Sequence, residues 1–301
     1  MALLALLAEL RDSERLTLWA VYANHGWRPA AARRELALVR RAARALGVPV
    51  LTVSLAPRKR PRQSWEGTGR QQRYAALARV ARRLRAGVVA VGHTQEDQAE
   101  TVLLALGRGS GVTGAGGMPP SRPLGPGAVR LVRPLLGCRH DELKAYLRSR
   151  RLPWLVDATN RRLRFRRNHV RRTVLPALRR AFGPSVVPHL AAFAELARDD
   201  EAWLQEAVAL WCRRHVRARR GTARVPAAVL RQAPLALQRR VVRWMVARAA
   251  GGLQGLAFQH VAALLALAAA KKPGHLDWPH GVTVDLTARA VTVRRQAGLR
   301  A

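Results

Sequence analysis

What most constrains this chain is an alternation in its first half. Short apolar runs at residues 16–23 (LTLWAVYA), 48–55 and 88–92 (VVAVG) are separated by stretches of helical periodicity at 30–46 and 66–85. Runs this short and this continuously apolar read as strands buried on both faces. Strands that alternate with helices imply a parallel sheet covered by helices on both sides. The pattern continues through a short helix over 97–106, a Gly-rich stretch over 107–117 read as a flexible loop, and a strand over 129–133. A helix near 141–150, a strand-like 154–156 and a basic helix over 161–182 follow. Gly183-Pro184 marks the expected domain boundary. Beyond it, Ala/Leu/Arg-rich helices run to about residue 270, and alternating Val282, Val284, Leu286 and Val291, Val293 predict a small hairpin. The expected architecture is α/β: a parallel doubly wound sheet over 1–183, then a smaller helical domain with a short hairpin over 184–301.

Composition narrows the partners. The formal net charge is +36, and only four of the 54 basic residues are Lys (Lys59, Lys144, Lys271, Lys272). A charge this large is self-repelling unless a polyanion is the usual company, and nucleic acid is the first candidate. The scarcity of Lys assigns part of the excess to a bias toward Arg codons. Hydrophobic residues at 49% rule out global disorder. Cys138 and Cys212 form neither a C-x-x-C pair nor a zinc spacing, so a reducing cytoplasm is expected and no metal site is. The opening MALLALLAEL has no basic residues ahead of it and makes a poor signal peptide. No run reaches the ~20 apolar residues of a membrane span.

Several motifs admit both a chemical and a structural reading. HTQEDQAET (93–101) follows the strand at 88–92 and opens a helix. Helical spacing puts Asp97, Glu100, Thr101 and Leu104 on one face, at the strand end where open α/β sheets bind ligands. His93, Asp97 and Glu100 could there hold an ammonium, contact phosphate or move protons. The structural reading is a capping-box start, Thr94-x-x-Asp97, with acids suited to the helix dipole. Glu66, Arg70, Arg73 and Tyr74 share one helix, and Arg70 and Arg73 share a face that binds phosphate or is merely solvated. Residues 161–180 hold nine Arg. Arg167, Arg171, Val174 and Leu178 form one stripe, and charges on an apolar stripe require an anion, which favours a phosphate or RNA contact. The letters G-x-G-x-x-G at 109–114 follow a helix, not a strand, so a dinucleotide site is rejected. No Walker-type loop occurs.

Taken in order, these segments resemble the tRNA(Ile)-lysidine synthetase family of PP-loop (N-type) ATP pyrophosphatases. The matching pieces are Asn24-His25-Gly26-Trp27-Arg28; Glu66 with Arg70, Arg73 and Tyr74; HTQEDQAET; RGSGVTGAGGM (108–118); RPLL (133–136); DATN (157–160); and Arg167-Asn168 with Arg171 leading to Pro176. They cover about residues 1–182, which the resemblance makes the catalytic domain (1–183); the rest, 184–301, resembles the family's tRNA/substrate-binding domain only in its helix-rich character and closing hairpin. The resemblance implies an adenine nucleotide alpha hydrolase-like fold. It also implies a ligase that uses ATP, with Mg²⁺ carried on its phosphates, to adenylate the 2-carbonyl oxygen of the wobble cytidine in a CAU-anticodon isoleucine tRNA. Free lysine then displaces AMP. His93, Asp97, Glu100 and Arg73 would be catalytic. Arg70, Arg73, His93 and His25 would hold the nucleotide, and Arg167, Asn168, Arg171, Asp157 and Asn160 would contact the tRNA or adenylate. A homodimer is compatible with this reading.

The chain departs from the family pattern in four ways. The S-G-G-x-D-S phosphate loop, which in the family directly precedes a helix resembling MALLALLAEL, is missing. The natural chain is therefore expected to start upstream of Met1, and the sheet is expected to lack its first, central strand. Glu96 replaces a usual Asp. Arg residues replace acids between Asn160 and Arg167, with Phe165 for a usual Tyr. Asn24 replaces a usual Asp or His. Two alternatives stay open: another PP-loop tRNA-modifying enzyme, or a non-catalytic tRNA-binding remnant.

Overall fold

The computed structural model describes residues 1–24, 26, 29–55, 65–155 and 166–296. His25, Asp157, Asn160 and the basic loop at 58–62 lie outside the described residues, as does the side chain of Glu66. The chain divides into two compact units, Met1–Asp199 and Asp200–Ala301.

The first unit opens on α1 (Ala2–Glu9), which starts without a side-chain cap. Ala2 is buried in a cluster with Leu135 and Leu147, and burial lowers the pKa of the Met1 amino group. Then come β1 (Ala20–Asn24), α2 (Pro29–Ala45), β2 (Val50–Ser54), α3 (Trp65–Arg83), β3 (Val88–Ala90), α4 (Gln95–Leu106), α5 (Val112–Ala115), β4 (Ser121–Pro123), β5 (Arg130–Val132) and α6 (His140–Ser149). The basic segment is helical from Arg166 onward: α7 (Arg166–His169), a π-helical turn at Val170–Val174, and α8 (Leu175–Phe182). Each strand of the expected α/β alternation is present to within a few residues. The strand-like 154–156 is not: Trp154 and Leu155 adopt no strand, and Trp154 packs beside Leu143 and Tyr146. The short β4 carries a proline and no apolar run, which hid it from the pattern; edge strands tolerate proline.

β1 and β2 are parallel, from Ala20 opposite Val50 to Asn24 opposite Ser54. β3 and β5 are parallel, with β4 antiparallel on the far side of β5. Among the described residues these two sets do not join into one sheet. An apolar cavity of about 500 Å³ lies between residues 16–21, leading into β1, and β3; Met1, Leu4, Leu77 and Val132 also line it. Val88, on this edge, is 55% exposed, an unusual state for a β-branched strand residue.

The second unit takes the latter part of α9 (Val186–His215), then β6 (Arg217–Arg219), β7 (Thr222–Pro226), α10 (Ala227–Gln232), α11 (Leu235–Ala250), α12 (Phe258–Ala269), β8 (Gly274–Trp278), β9 (Val282–Leu286) and β10 (Ala290–Arg295). The strands form one antiparallel sheet in the order β6-β7-β10-β9-β8. The expected hairpin is its β9–β10 pair. Of the other three strands, β6 went unread because it is Arg-rich, β7 (TARVP) because Arg and Pro break its apolar run, and β8 (GHLDW) because it is mostly polar. One sheet face closes a core with α11 and α12 through Val225, Val241, Met245, Leu264, Val284 and Val291. Burial in this core pushes the Cys212 thiol up to about 12. The division between units falls inside α9 rather than at Gly183-Pro184, because Val187 packs with Ala99, Val170 and Leu175 in the first unit. No helix among the described residues is long and apolar enough to cross a membrane.

Candidate functional site

The site is built where β3 hands over to α4. The chain leaves the sheet at Val91, passes His93 and enters the helix at Thr94, in extended geometry. Asp97 performs the structural role its spacing allowed: its Oδ2 accepts from the Thr94 backbone N–H at 3.0 Å. Its Oδ1 faces the other way and accepts from Arg167 Nη2 and Arg171 Nη2, both at 3.0 Å. Glu100, one turn on, is fully buried. It accepts from Arg167 Nε at 2.8 Å and from both Nε and Nη2 of Arg171. Burial works to raise the Asp97 carboxyl, but Arg167, the Thr94 N–H, Arg171 and His93 together hold it below the usual carboxylate range.

Asp97 and Glu100 thus give Arg167 and Arg171 carboxylate partners within the protein itself. The two guanidiniums reach one face because they are four residues apart across a widened turn. The Leu175 N–H bonds back to the Val170 carbonyl, five residues away. Pro176 explains the widening: it has no N–H to give the carbonyl of Arg172, and its ring would clash there in a regular helix. Such π-turns recur at functional sites.

A second group of guanidiniums stands beside the first. Arg70, Arg73 and Arg122 lie 5.3, 5.5 and 4.9 Å from the centre of the buried Tyr74 ring, within cation–π range. Arg133, 3% exposed, closes the set; its Nη1 donates to the Pro119 carbonyl. Burial works to raise the Tyr74 phenol, but Arg70, Arg73 and Arg133 outweigh it and bring it below its ordinary value. His93 sits between the two groups. Burial, with Arg133, Arg70 and Arg167 nearby, lowers its pKa to about 4 against the pull of Asp97, so the imidazole is neutral at pH 7. The Nδ1 of His93 and Nε of Arg133 are buried with no hydrogen-bond partner among the described residues. Buried polar atoms normally find partners, so orphans converging on one place call for a ligand.

Of the residues expected at the site, His93, Asp97, Glu100, Arg70, Arg73, Arg167 and Arg171 come together. His25, Asp157 and Asn160 lie outside the described residues, and Asn168 sits beside Arg167 on α7. Two contributors were missed as site residues, Arg122 and Arg133. The RPLL run flagged Arg133 without a role; Arg122 had no signal, because only the β4–β5 pairing brings it near Tyr74. The Gly-rich stretch is also more ordered than a flexible loop. α5 interrupts it, Gln98 clamps Met118 by a donor and an acceptor bond (3.0 and 2.7 Å), and Arg198 holds the Gly116 carbonyl at 2.7 Å. Gly117, at φ 62°, lies so close to Gln98 that a Cβ there would stand 2.7 Å from its Oε1. Glu96 accepts from the His140 N–H at 3.0–3.1 Å and so caps α6.

Comparison with known proteins identifies the family. Residues 1–178 match the PP-loop domain family, and residues 226–298 match the TilS substrate binding domain. The tRNA(Ile)-lysidine synthase of Symbiobacterium thermophilum is 39% identical over 95% of this chain and 61% of its own length. That of Geobacter sulfurreducens is 35% identical over 98% and 62%. That of Gloeobacter violaceus is 37% identical over 88% and 78%. The chain thus spans about six-tenths of the length of the first two. Among solved structures, the U34-tRNA thiolase NcsA from Methanococcus maripaludis shares the fold, with a TM-score of 0.53 at 15% identity over 65% of this chain and 68% of its own. With a family model over more than half its length and these relatives, the chain belongs to the tRNA(Ile)-lysidine synthase family of PP-loop proteins.

Proposed function

We propose that this chain ligates free lysine to the wobble cytidine of a CAU-anticodon isoleucine tRNA at the expense of ATP, in the cytoplasm. The observation that carries the reading is the packing of Arg70, Arg73, Arg122 and Arg133 around Tyr74, beside a neutral His93 and the Asp97/Glu100–Arg167/Arg171 cluster. The first set has four cations and no carboxylate of its own among the described contacts, so it suits the phosphates of ATP and of a tRNA. In the second set Asp97, with 15% of its side chain exposed, is the carboxylate that a cationic amino acid would approach.

In the first step the 2-carbonyl oxygen of cytidine attacks the α-phosphorus of ATP, and diphosphate leaves. In the second, the amino group of lysine attacks C2 of the base; AMP leaves, and the amine gives up a proton. Arg70, Arg73, Arg122 and Arg133 stabilise charge on the phosphates as it moves toward the leaving group. Mg²⁺, when present, would be carried on the ATP phosphates and would help to neutralise their charge. Neutral His93, with Nδ1 open, accepts the proton of the attacking amine. The Asp97 carboxylate draws the ammonium in. Glu100 is a positioning residue: it is sealed from solvent, and its oxygens are taken by Arg167 and Arg171. Those two arginines, aimed by it, flank the adenylated base with Asn168.

The test is AMP release that requires ATP, lysine and the tRNA together, with lysidine detected by mass spectrometry of the digested tRNA. It is run on this chain. Release with ATP and tRNA that ignores lysine would point to a different PP-loop modification. tRNA binding with no AMP release would point to a non-catalytic remnant.

A further inference from the structure

The sequence groups Tyr74 with Arg70 and Arg73, yet the ligation chemistry gives its ring no task. The ring is buried and fixed by a cluster that includes Leu77 of α3, Leu131 of β5 and Leu124 just after β4. Three guanidiniums meet it from two parts of the chain. Arg70 stands one helical turn before Tyr74 on α3 and shares its face, and Arg73 precedes it directly. Arg122 arrives from β4, where its backbone lies opposite Leu131.

Gathering three like charges in one place is costly unless something opposes their repulsion. Among the described residues none of Arg70, Arg73, Arg122 or Arg133 forms an ion pair with a carboxylate. Burial, with Arg167, Arg73 and Arg122 nearby, lowers the Arg70 pKa, while Tyr74 works to raise it. The ring is the one feature of the cluster suited to hold cations together. Its face carries a negative quadrupole, and all three guanidinium carbons lie within 5.5 Å of its centre. A carboxylate there would also hold the arginines, but it would occupy their N–H donors and repel an incoming phosphate. An aromatic face attracts a guanidinium and leaves the donors in its plane free for phosphate oxygens.

We propose that Tyr74 is the positioning residue of the phosphate site: its ring gathers Arg70, Arg73 and Arg122 before the nucleotide arrives. Binding is then spared the cost of collecting three mutually repelling side chains. The consequence for ATP rests on the function proposed above; the gathering of the arginines in the free protein does not.

The experiment replaces Tyr74 in the whole chain by Phe and then by mono-, di- and trifluorophenylalanine, with Tyr74→Leu as the ring-free form. Fluorination drains the negative face of the ring and changes its volume little. Two quantities are read: the Kd for ATP by calorimetry, and the NMR signals of the arginine Nε–H groups without nucleotide. ATP affinity is expected to fall stepwise along the series, by roughly tenfold from Phe to trifluorophenylalanine. Tm should stay nearly constant along it. Without nucleotide, the Arg70, Arg73 and Arg122 signals should lie upfield of the other arginines, shifted by the ring, and move toward them as fluorine is added and in Tyr74→Leu. Trifluorophenylalanine in place of Phe258, which carries Arg239 at 5.3 Å in the second unit, is the control and should leave ATP affinity unchanged.

ATP affinity that stays flat along the series, or that falls only in step with Tm, would overturn the proposal, since the ring would then be packing alone. So would arginine signals that ignore the substitutions. If no form of the chain binds ATP, the nucleotide reading fails by itself, and the NMR series still decides whether the ring gathers the arginines.

Discussion

His93 is the residue whose chemistry depends most on its neighbours. Its pKa of about 4 results from burial and three guanidiniums, so an anion that neutralises them should raise it. NMR of the ring nitrogens is expected to show a neutral imidazole at pH 6 in the free protein and a higher pKa once ATP is added; an unshifted value with ATP bound would contradict the placement. The same depression links to stability. Between pH 6.5 and about 4 the unfolded chain binds a proton at His93 that the folded chain does not, so stability falls as pH drops through that window. The Tm of His93→Gln should therefore fall less between pH 7 and 4.5 than that of the unaltered protein. Glu100 predicts a different outcome. Truncation to Ala leaves Arg167 and Arg171 short of their buried partner and is expected to destabilise by about 3–5 kcal/mol, read from urea unfolding. Both residues were legible in the sequence, since a strand end followed by a helix start fixes where His93, Asp97 and Glu100 point. Their pairing with Arg167 and Arg171 was not, because that contact spans some seventy residues of chain and no local period records it.

Among the elements, the π-turn before α8 can be tested directly. Pro176→Ala restores an N–H for the Arg172 carbonyl and lets the helix close to a regular turn, rotating Arg171 away from Glu100. The expected result is a tenfold or larger loss in AMP release with little change in Tm; unchanged turnover would show that the widened turn is incidental. The sequence announced the basic helix and its inward stripe, but a wide turn adds no letter to the pattern. The strands followed the same logic. β1, β2, β3 and β5 were readable because each is a short, mostly apolar run, the pattern of parallel strands covered on both faces, although here most of their residues are only half-buried or exposed. β4, β6 and β8 were not, because edge strands carry proline, arginine and polar residues that suppress the signal. The exposed Val88 on β3 is an exception to that protection, and Val88→Lys is expected to leave Tm within a degree or two while reducing concentration-dependent light scattering. An equal tendency to aggregate would mean that the β3 edge is not the sticky surface.

For the whole molecule, a net charge of +36 sets the behaviour. Self-repulsion opposes the compact state and is screened by salt, so Tm should rise between low and moderate ionic strength. A falling Tm would instead indicate that favourable ion pairs, such as Arg240–Glu201 at 2.8 Å, dominate. The open seam between β1 and β3 carries a last consequence, for how the first unit comes apart. Two strand pairs that share no ladder bonds among the described residues can fluctuate independently, each tethered by its covering helices. Amide protons of residues 20–24 and 50–54 should then exchange with deuterium at one common rate, and those of 88–90 and 130–132 at another, instead of the single rate of a continuous sheet.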